Sequence, residues 1–251
     1  MKVGCVPYLH YEPFYFDMAR RGIELVEKVP SAMAAAVEHG EIDAGPIPLV
    51  DSLRLEDQFD VVSGFGVSSL KGTGHAFLYA NAPLAELGGA RIAMTDEAAT
   101  APSLVHILLT LQHQAEPATY VTLDEPHDAF VLIGHRGLRQ RRGARDFSQM
   151  FDLGEAWQGW TGLPFVASRW MARRDLEPAE RALLEDTLYV GLEDGVNAVY
   201  LIAEPREDVL MLPRDVVRFS QGFRYFMRMP EQKSVEQFGA YLKAAGPPPG
   251  A

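Results

Sequence analysis

The apolar positions fall in short runs, broken at close intervals by glycine, proline and polar clusters. Residues 2–7 form an apolar run ending in Pro7, which fits a buried strand. Pro13 opens and Gly22 closes a helical stretch over 13–21, and Ile23 to Val29 reads as a strand despite imperfect alternation. Pro30-Ser31 begins an Ala-rich helix, with Ser31 as its N-cap and Gly40 as its stop. Ile42 to Pro46 is a short strand, 48–55 a helix and 59–66 another strand. Strand and helix thus alternate, which predicts a mostly parallel sheet covered by helices.

The rhythm continues through strands at 75–80 and 91–95, an amphipathic helix from Thr100 to Gln112, and strands at 120–123 and 129–134. Residues 136–145 read as a basic turn or short helix, and 165–172 as a strand. After residue 175 the segments 178–203, 206–212, 214–226 and 231–244 all look helical, with no strand pattern among them. The tail 246–251, Gly-Pro-Pro-Pro-Gly-Ala, is expected to hold no regular structure. The prediction is an α/β fold of two lobes, each a mostly parallel sheet flanked by helices, with a helical C-terminal third. Lobe 1 is expected to be discontinuous, 1–80 plus 175–251, with 81–174 inserted as lobe 2. Sheets of this class bind ligands at strand C-terminal ends and domain interfaces, so the cleft between the lobes is the expected ligand site.

Composition narrows the partners. A chain of 251 residues with 47% hydrophobic and 23% charged positions is an ordinary folded protein. Its net charge of −11 argues against nucleic acid and anionic membranes as partners, while allowing a local anion site. A single cysteine, Cys5, excludes an internal disulfide and a Cys-rich zinc cage. No apolar run reaches the roughly 18 residues of a membrane span. The first residues lack the apolar core and cleavage pattern of a signal peptide, so a cytoplasmic location is expected. Oligomeric state is not legible.

The spacings of dinucleotide, Walker, zinc-protease and nucleophile-elbow motifs are absent. No pair among the seven histidines has a convincing metal spacing, so no metal is expected. His39 sits at a helix end, and His113 and His127 look like surface residues. His10, His75 and His135 lie at strand ends and are acid/base candidates; the alternative for each is a hydrogen-bonded structural histidine. Gly72-Thr73-Gly74 either offers backbone N–H groups to an anion or is simply a close-packed loop. Between Asp96 and Ser103 the chain passes from strand to helix, with Thr100 as natural N-cap and Pro102 in the first turn. A helix start with nearby hydroxyls suits a carboxylate, the alternative being a plain capped helix. Arg136, Arg139, Arg141, Arg142 and Arg145 form the one dense basic stretch, which either draws an anion or partner or is a solvated turn. Trp157, Trp160 and Phe165 read as core packing.

Several segments resemble one family. Gly154-Glu-Ala-Trp157-Gln-Gly-Trp160-Thr161-Gly162-Leu163-Pro164-Phe165-Val166 is similar to the "LGxxWxxxTGLPFVFxxW" block of the menaquinone biosynthesis family, in its chorismate dehydratase branch of the futalosine pathway. Asp128 to Gly134 resembles its "DAxLLIG", and Val3-Gly4 through Tyr8-Leu9-His10 and Pro13 resembles its opening "xGxxxYLNxxP". Pro30-Ser31 and Gly40 to Pro48 resemble "PSxLAxxLxxGxLDxxxIP", and the match keeps its order over residues 2–175.

The resemblance implies a type 2 periplasmic-binding-protein-like fold put to catalytic use. It implies dehydration of chorismate to 3-[(1-carboxyvinyl)oxy]benzoate, with no cofactor and a small-molecule substrate as the partner. Four departures stand at expected pocket positions: the family's Asn falls on His10, its "SRTS" on Ala98-Ala99-Thr100-Ala101, a Ser on His75 and an Asp on His135. Histidines keep hydrogen-bonding capacity and can add positive charge. The expected substrate-binding set is Tyr8, Gly45, Gly72, Thr73, Gly74, Thr95, Thr100, Ala101, Ser103, Gly134 and His135. Thr100, Ser103 and the helix start are expected to bind one carboxylate, and the 72–74 loop the other. His10 is the first candidate for proton transfer and His75 the second, unless a substrate carboxylate takes the proton itself. The alternatives are an enzyme acting on another aromatic or enolpyruvyl acid, and a cytoplasmic protein of the same fold that binds an aromatic or dicarboxylic acid without catalysis.

Overall fold

The computed structural model describes residues 1–247. The end of the tail, 248–251, lies outside the described residues. The chain divides into two compact units, each built around its own sheet. Unit 1 is Met1–Ser68 with Val166–Arg228, and unit 2 is Ser69–Phe165 with the chain from Met229 onward.

Unit 1 begins with β1 (Lys2–Cys5), α1 (Glu12–Tyr15), β2 (Glu24–Glu27), α2 (Pro30–Glu38), β3 (Ala44–Pro48), α3 (Leu49–Leu55) and β4 (Phe59–Ser69). Unit 2 holds β5 (Phe77–Ala80), β6 (Arg91–Met94), α4 (Thr100–Ile107), β7 (Thr119–Thr122), β8 (Ala129–Leu132), α5 (Gly134–Gln140), β9 (Gln149–Asp152) and α6 (Leu153–Thr161). The chain returns to unit 1 as β10 (Phe165–Arg173), α7 (Pro178–Tyr200), α8 (Pro213–Ser220) and β11 (Phe223–Phe226). It ends in unit 2 with α9 (Met229–Ala245).

The strand orders are β11-β4-β10-β3-β1-β2 in unit 1 and β7-β6-β8-β5-β9 in unit 2. Both sheets are mixed where a mostly parallel arrangement was expected. β1 runs parallel to β2 and β3, but β10 runs antiparallel to β3. β6 runs parallel to β7 and β8, but β5 runs antiparallel to β8 and β9. An apolar run marks a buried strand and carries no sign of its direction.

Other differences have local causes. The stretch 13–21 is no continuous helix: 3-10 turns at Leu9–Tyr11 and Ala19–Arg21 flank the single turn of α1, and Gly22 closes it at φ 77°. Pro30 is the first helical residue of α2 and no side chain caps it, so Ser31 is not the N-cap. The helix that starts at Thr100 leaves α geometry after Ile107 and continues as a π-helical turn, Leu108–Gln112. β9 and β11 are strands the sequence does not announce. Each has four residues, stands at a sheet edge and is partly exposed, so neither leaves an apolar run.

The unit boundaries also depart from expectation. β4 runs unbroken to Ser69, and α9 belongs to unit 2. The reason for α9 is its buried face. Trp157 Nε1 donates to Ser234 Oγ at 3.0 Å, and Trp160 stacks on Tyr241 at 4.5 Å. His106 Nε2 lies 3.2 Å from the Ala245 carbonyl oxygen. Trp157 and Phe238 are fully buried, as the packing reading of Trp157 expects; burial of such a side chain contributes roughly 1.5–3 kcal/mol. Val3, Phe14, Met33, Ile47, Phe65 and Trp170 form the core of unit 1. No described helix is long and apolar enough to cross a membrane.

Candidate functional site

In unit 1 the chain leaves β1 through Pro7 and turns at Tyr8–Tyr11. His10 is buried there among rings: Phe223 stacks on it at 4.8 Å and 15°, and the Tyr11 ring lies at 4.7 Å. Tyr8 lies at 6.0 Å, and Phe219 meets it edge-on at 5.9 Å. β11 therefore supplies one wall of the His10 pocket, which the helical expectation for 214–226 misses. Tyr11 Oη donates to Ser168 Oγ at 2.9 Å, and burial pushes its phenol up to about 12, so it stays a neutral donor. Arg169 is spent internally, on Ser52 Oγ at 2.9 Å and Glu56 at 2.7 Å. Gly45 has a packing explanation: a Cβ there would lie 3.3 Å from the Met33 sulfur and 3.4 Å from the backbone of Gly4.

In unit 2 the 72–74 loop meets an anion from its own chain. Asp152 ends β9 and caps α6, accepting from the N–H groups of Gly154 at 2.9 Å and Glu155 at 3.1 Å. The same carboxylate accepts from Thr73 N at 2.8 Å and Gly74 N at 2.6 Å, with Thr73 Oγ1 3.2 Å from both oxygens. A Cβ at Gly72 would lie 3.0 Å from Asp152 Oδ2. Two of the backbone donors expected to hold a substrate carboxylate, Thr73 N and Gly74 N, are therefore already taken by Asp152.

His75 follows this loop. It is buried, and its Nδ1 accepts the Gly134 N–H at 3.1 Å. Burial, with a smaller contribution from the charge of His135, pushes the imidazole down to about 3. A ring that is neutral at physiological pH and accepts at Nδ1 carries its proton on Nε2. Such a group orients its neighbours and does not cycle a proton, which weighs against a catalytic role. Gly134 opens α5 at φ 57°, and His135 is half-buried in the first turn.

Next to α5 stands the end of β6. Arg136 Nη1 donates to Thr95 Oγ1 at 3.3 Å and to Asp96 Oδ1 at 3.3 Å. Thr95 is buried, whereas the Asp96 side chain is 89% exposed and leaves the guanidinium a solvent-weakened partner. A short turn then leads into α4, whose N-cap is Ala99 with no side-chain hydrogen bond. Thr100 is thus the first helical residue and not the cap. Thr100, Ala101 and Ser103 are all buried in that first turn. A helix start without a side-chain cap, carrying two hydroxyls, has donors for an anion.

Two residues outside the expected set join this half. Arg136 is the first of the basic stretch, and only its position beside Thr95 separates it from the other four arginines. Ser69 is buried, and its Oγ has no hydrogen-bond partner among the described residues. It packs beside Gly154, where a Cβ would lie 2.9 Å from that Oγ. No sequence pattern singles it out. Among the described residues no group of three or more His, Cys, Asp or Glu is placed to hold a metal ion.

Comparison with known proteins supplies a context for these residues. The sequence profile of a family described as menaquinone biosynthesis matches residues 1–244. A chorismate dehydratase from Thermus thermophilus is 24% identical over 263 residues, covering 96% of this chain and 94% of that protein. The crystal structure of a protein from Archaeoglobus fulgidus superposes with a TM-score of 0.72 at 17% identity, over 97% of this chain and 96% of that one. The alkanesulfonate-binding protein of Xanthomonas axonopodis pv. citri, solved with MOPS bound, superposes at 0.64 with 14% identity, over 98% and 92%. The fold is that of the periplasmic binding proteins.

Proposed function

The chain belongs to the menaquinone biosynthesis family, and from that premise we propose that it is a carbon–oxygen lyase that dehydrates chorismate to 3-[(1-carboxyvinyl)oxy]benzoate. The reaction breaks the C3–H and C4–O bonds. The electron pair left at C3 enters the ring, which becomes aromatic, and the C4 hydroxyl leaves as water once protonated. No redox partner is required. The protein has to hold two carboxylates, exclude water and manage one proton at C3 and one at the departing oxygen.

Removal of the C3 proton sends negative charge through the ring double bond onto the ring carboxylate. Donors at that carboxylate therefore stabilise the transition state more than the ground state. The observation that carries the reading is the start of α4, which lacks a side-chain cap and bears buried Thr100 and Ser103. Arg136, beside Thr95, supplies positive charge for a carboxylate of the dianion. In this reading the 72–74 loop serves the site indirectly, because Asp152 fills it. His10 is assigned the proton of the departing hydroxyl, and the C3 proton goes to His10 or to the substrate's own enolpyruvyl carboxylate.

The test is incubation of the purified protein with chorismate alone, with products followed by chromatography and mass. The expected result is protein-dependent loss of one water and the carboxyvinyloxybenzoate as product. Saturable binding of an aromatic acid without turnover would replace the lyase by a binding protein of the same fold. Absence of both would leave the family's fold without its reaction.

A further inference from the structure

We propose that Asp152 is a positioning residue: an internal carboxylate that fills the anion seat of the 72–74 loop and thereby fixes His75 and the start of α5. An N-cap needs one or two backbone donors. Asp152 satisfies that role with Gly154 and Glu155, yet its oxygens also take Thr73 N, Gly74 N and Thr73 Oγ1, from a segment 78 and 79 residues away. The seat is closed around it. A Cβ at Gly72 would lie 3.0 Å from Asp152 Oδ2, and a Cβ at Gly154 would lie 2.7 Å from Thr73 Cγ2.

The consequences run outward from Thr73. Its Oγ1 accepts from Ala76 N at 2.9 Å and His75 N at 3.3 Å, which sets the turn into β5. Leu153 N donates to Ala76 O at 2.9 Å, so the loop is held on its other flank by the residue after Asp152. His75 then presents Nδ1 to the Gly134 N–H, and α5 lies so close that a Cβ at Gly137 would stand 1.8 Å from the His75 carbonyl oxygen. α5 carries Arg136 to Thr95. Contacts thus connect Asp152, Thr73, His75, Gly134 and the candidate carboxylate site without a gap.

Asp152→Asn is the sharp perturbation. It keeps the size but turns one acceptor oxygen into an NH2 that must face N–H donors whichever way the amide is flipped. Asp152→Ala empties the seat. The first readout is the ring 15N spectrum of His75, which does not depend on the proposed reaction. In the unchanged protein this ring should remain the neutral Nε2–H form between about pH 5 and 8. In both variants it should titrate or mix tautomers within that window. Sodium formate, but not sodium chloride at equal ionic strength, should restore the original spectrum in Asp152→Ala, because a free carboxylate refills the seat.

The second readout rests on the chorismate reading: kcat/KM in Asp152→Asn should fall about ten- to a hundred-fold, the scale of a misplaced site. Folded variants with an unchanged His75 spectrum would overturn the proposal, leaving Asp152 a helix cap that affects only thermal stability. Formate acting no better than chloride would overturn the anion seat. If Asp152→Ala does not fold, Asp152→Asn decides by the spectrum alone. If no variant and no unchanged protein turns over chorismate, the reaction fails while the spectral test of Asp152 stands.

Discussion

His75 shows how far a residue's chemistry is set by what surrounds it. Its ordinary pKa is 6.5, and burial brings it to about 3. The unfolded chain therefore binds a proton on His75 below about pH 6.5, while the folded chain refuses it until about pH 3. Between those values the unfolded state holds more protons. The contribution is complete above about 6.5 and is lost as the pH falls toward 3, with a slope approaching about 1.4 kcal/mol per pH unit. His75→Asn keeps an acceptor for the Gly134 N–H and cannot titrate. Urea unfolding across this range should show a shallower pH dependence in the variant; equal slopes would remove His75 as the source. The residues proposed to meet the substrate predict kinetics as well. Arg136→Gln should raise KM for chorismate about ten- to a hundred-fold, since a hydrogen bond to a charged group contributes roughly 1.5–3 kcal/mol. His10→Ala should lower kcat while changing KM little, and turnover equal to the unchanged protein would take His10 out of the chemistry.

At the scale of elements, close approach matters more than propensity. α5 can pack against the start of β5 only because residue 137 has no side chain: its Cβ would stand 1.8 Å from the His75 carbonyl. Gly159, inside α6, has nothing within 4 Å of its Cβ position. The same substitution should then have opposite signs. Gly137→Ala should destabilise the protein by about 1–3 kcal/mol or more through overpacking, and Gly159→Ala should stabilise it by up to about 1 kcal/mol through helix propensity. Denaturant midpoints check both, and two changes of the same sign would refute the packing account. Neither glycine is distinguishable in the sequence. What is legible there is punctuation: Gly22 and Gly40 stop elements at positive φ, and Pro30 opens α2. The helix start at Thr100 is legible too, although its cap is Ala99. β9 and β11 escape because a four-residue edge strand needs no continuous apolar run. The occupant of the 72–74 loop escapes because it lies 79 positions on, and no local pattern reports a contact at that separation.

At the scale of the whole molecule, the division of the chain is settled by contacts such as Trp157 with Ser234, 77 residues apart, which carry α9 into unit 2. Charge is the other property of the whole, and it poses a conflict. The net charge is −11, and the proposed substrate is a dianion, so the mean field repels it. The basic stretch opposes that field locally. Arg139, Arg142 and Arg145 are exposed and follow Arg136 within ten residues. At physiological salt the Debye length is about 8 Å, so distant carboxylates are screened while a local cluster of arginines still acts. Reversing Arg139, Arg142 and Arg145 to Glu removes that local attraction without touching a group assigned to substrate. At low ionic strength kcat/KM should fall about ten-fold, the low end of steering effects, with kcat unchanged. The deficit should vanish as salt approaches about 1 M, where the Debye length is about 3 Å. A deficit that persists at high salt would mean the reversals had disturbed the site itself. No deficit at low salt would reduce the arginines to a solvated turn, and entry of the dianion would then depend on Arg136 and the α4 start alone.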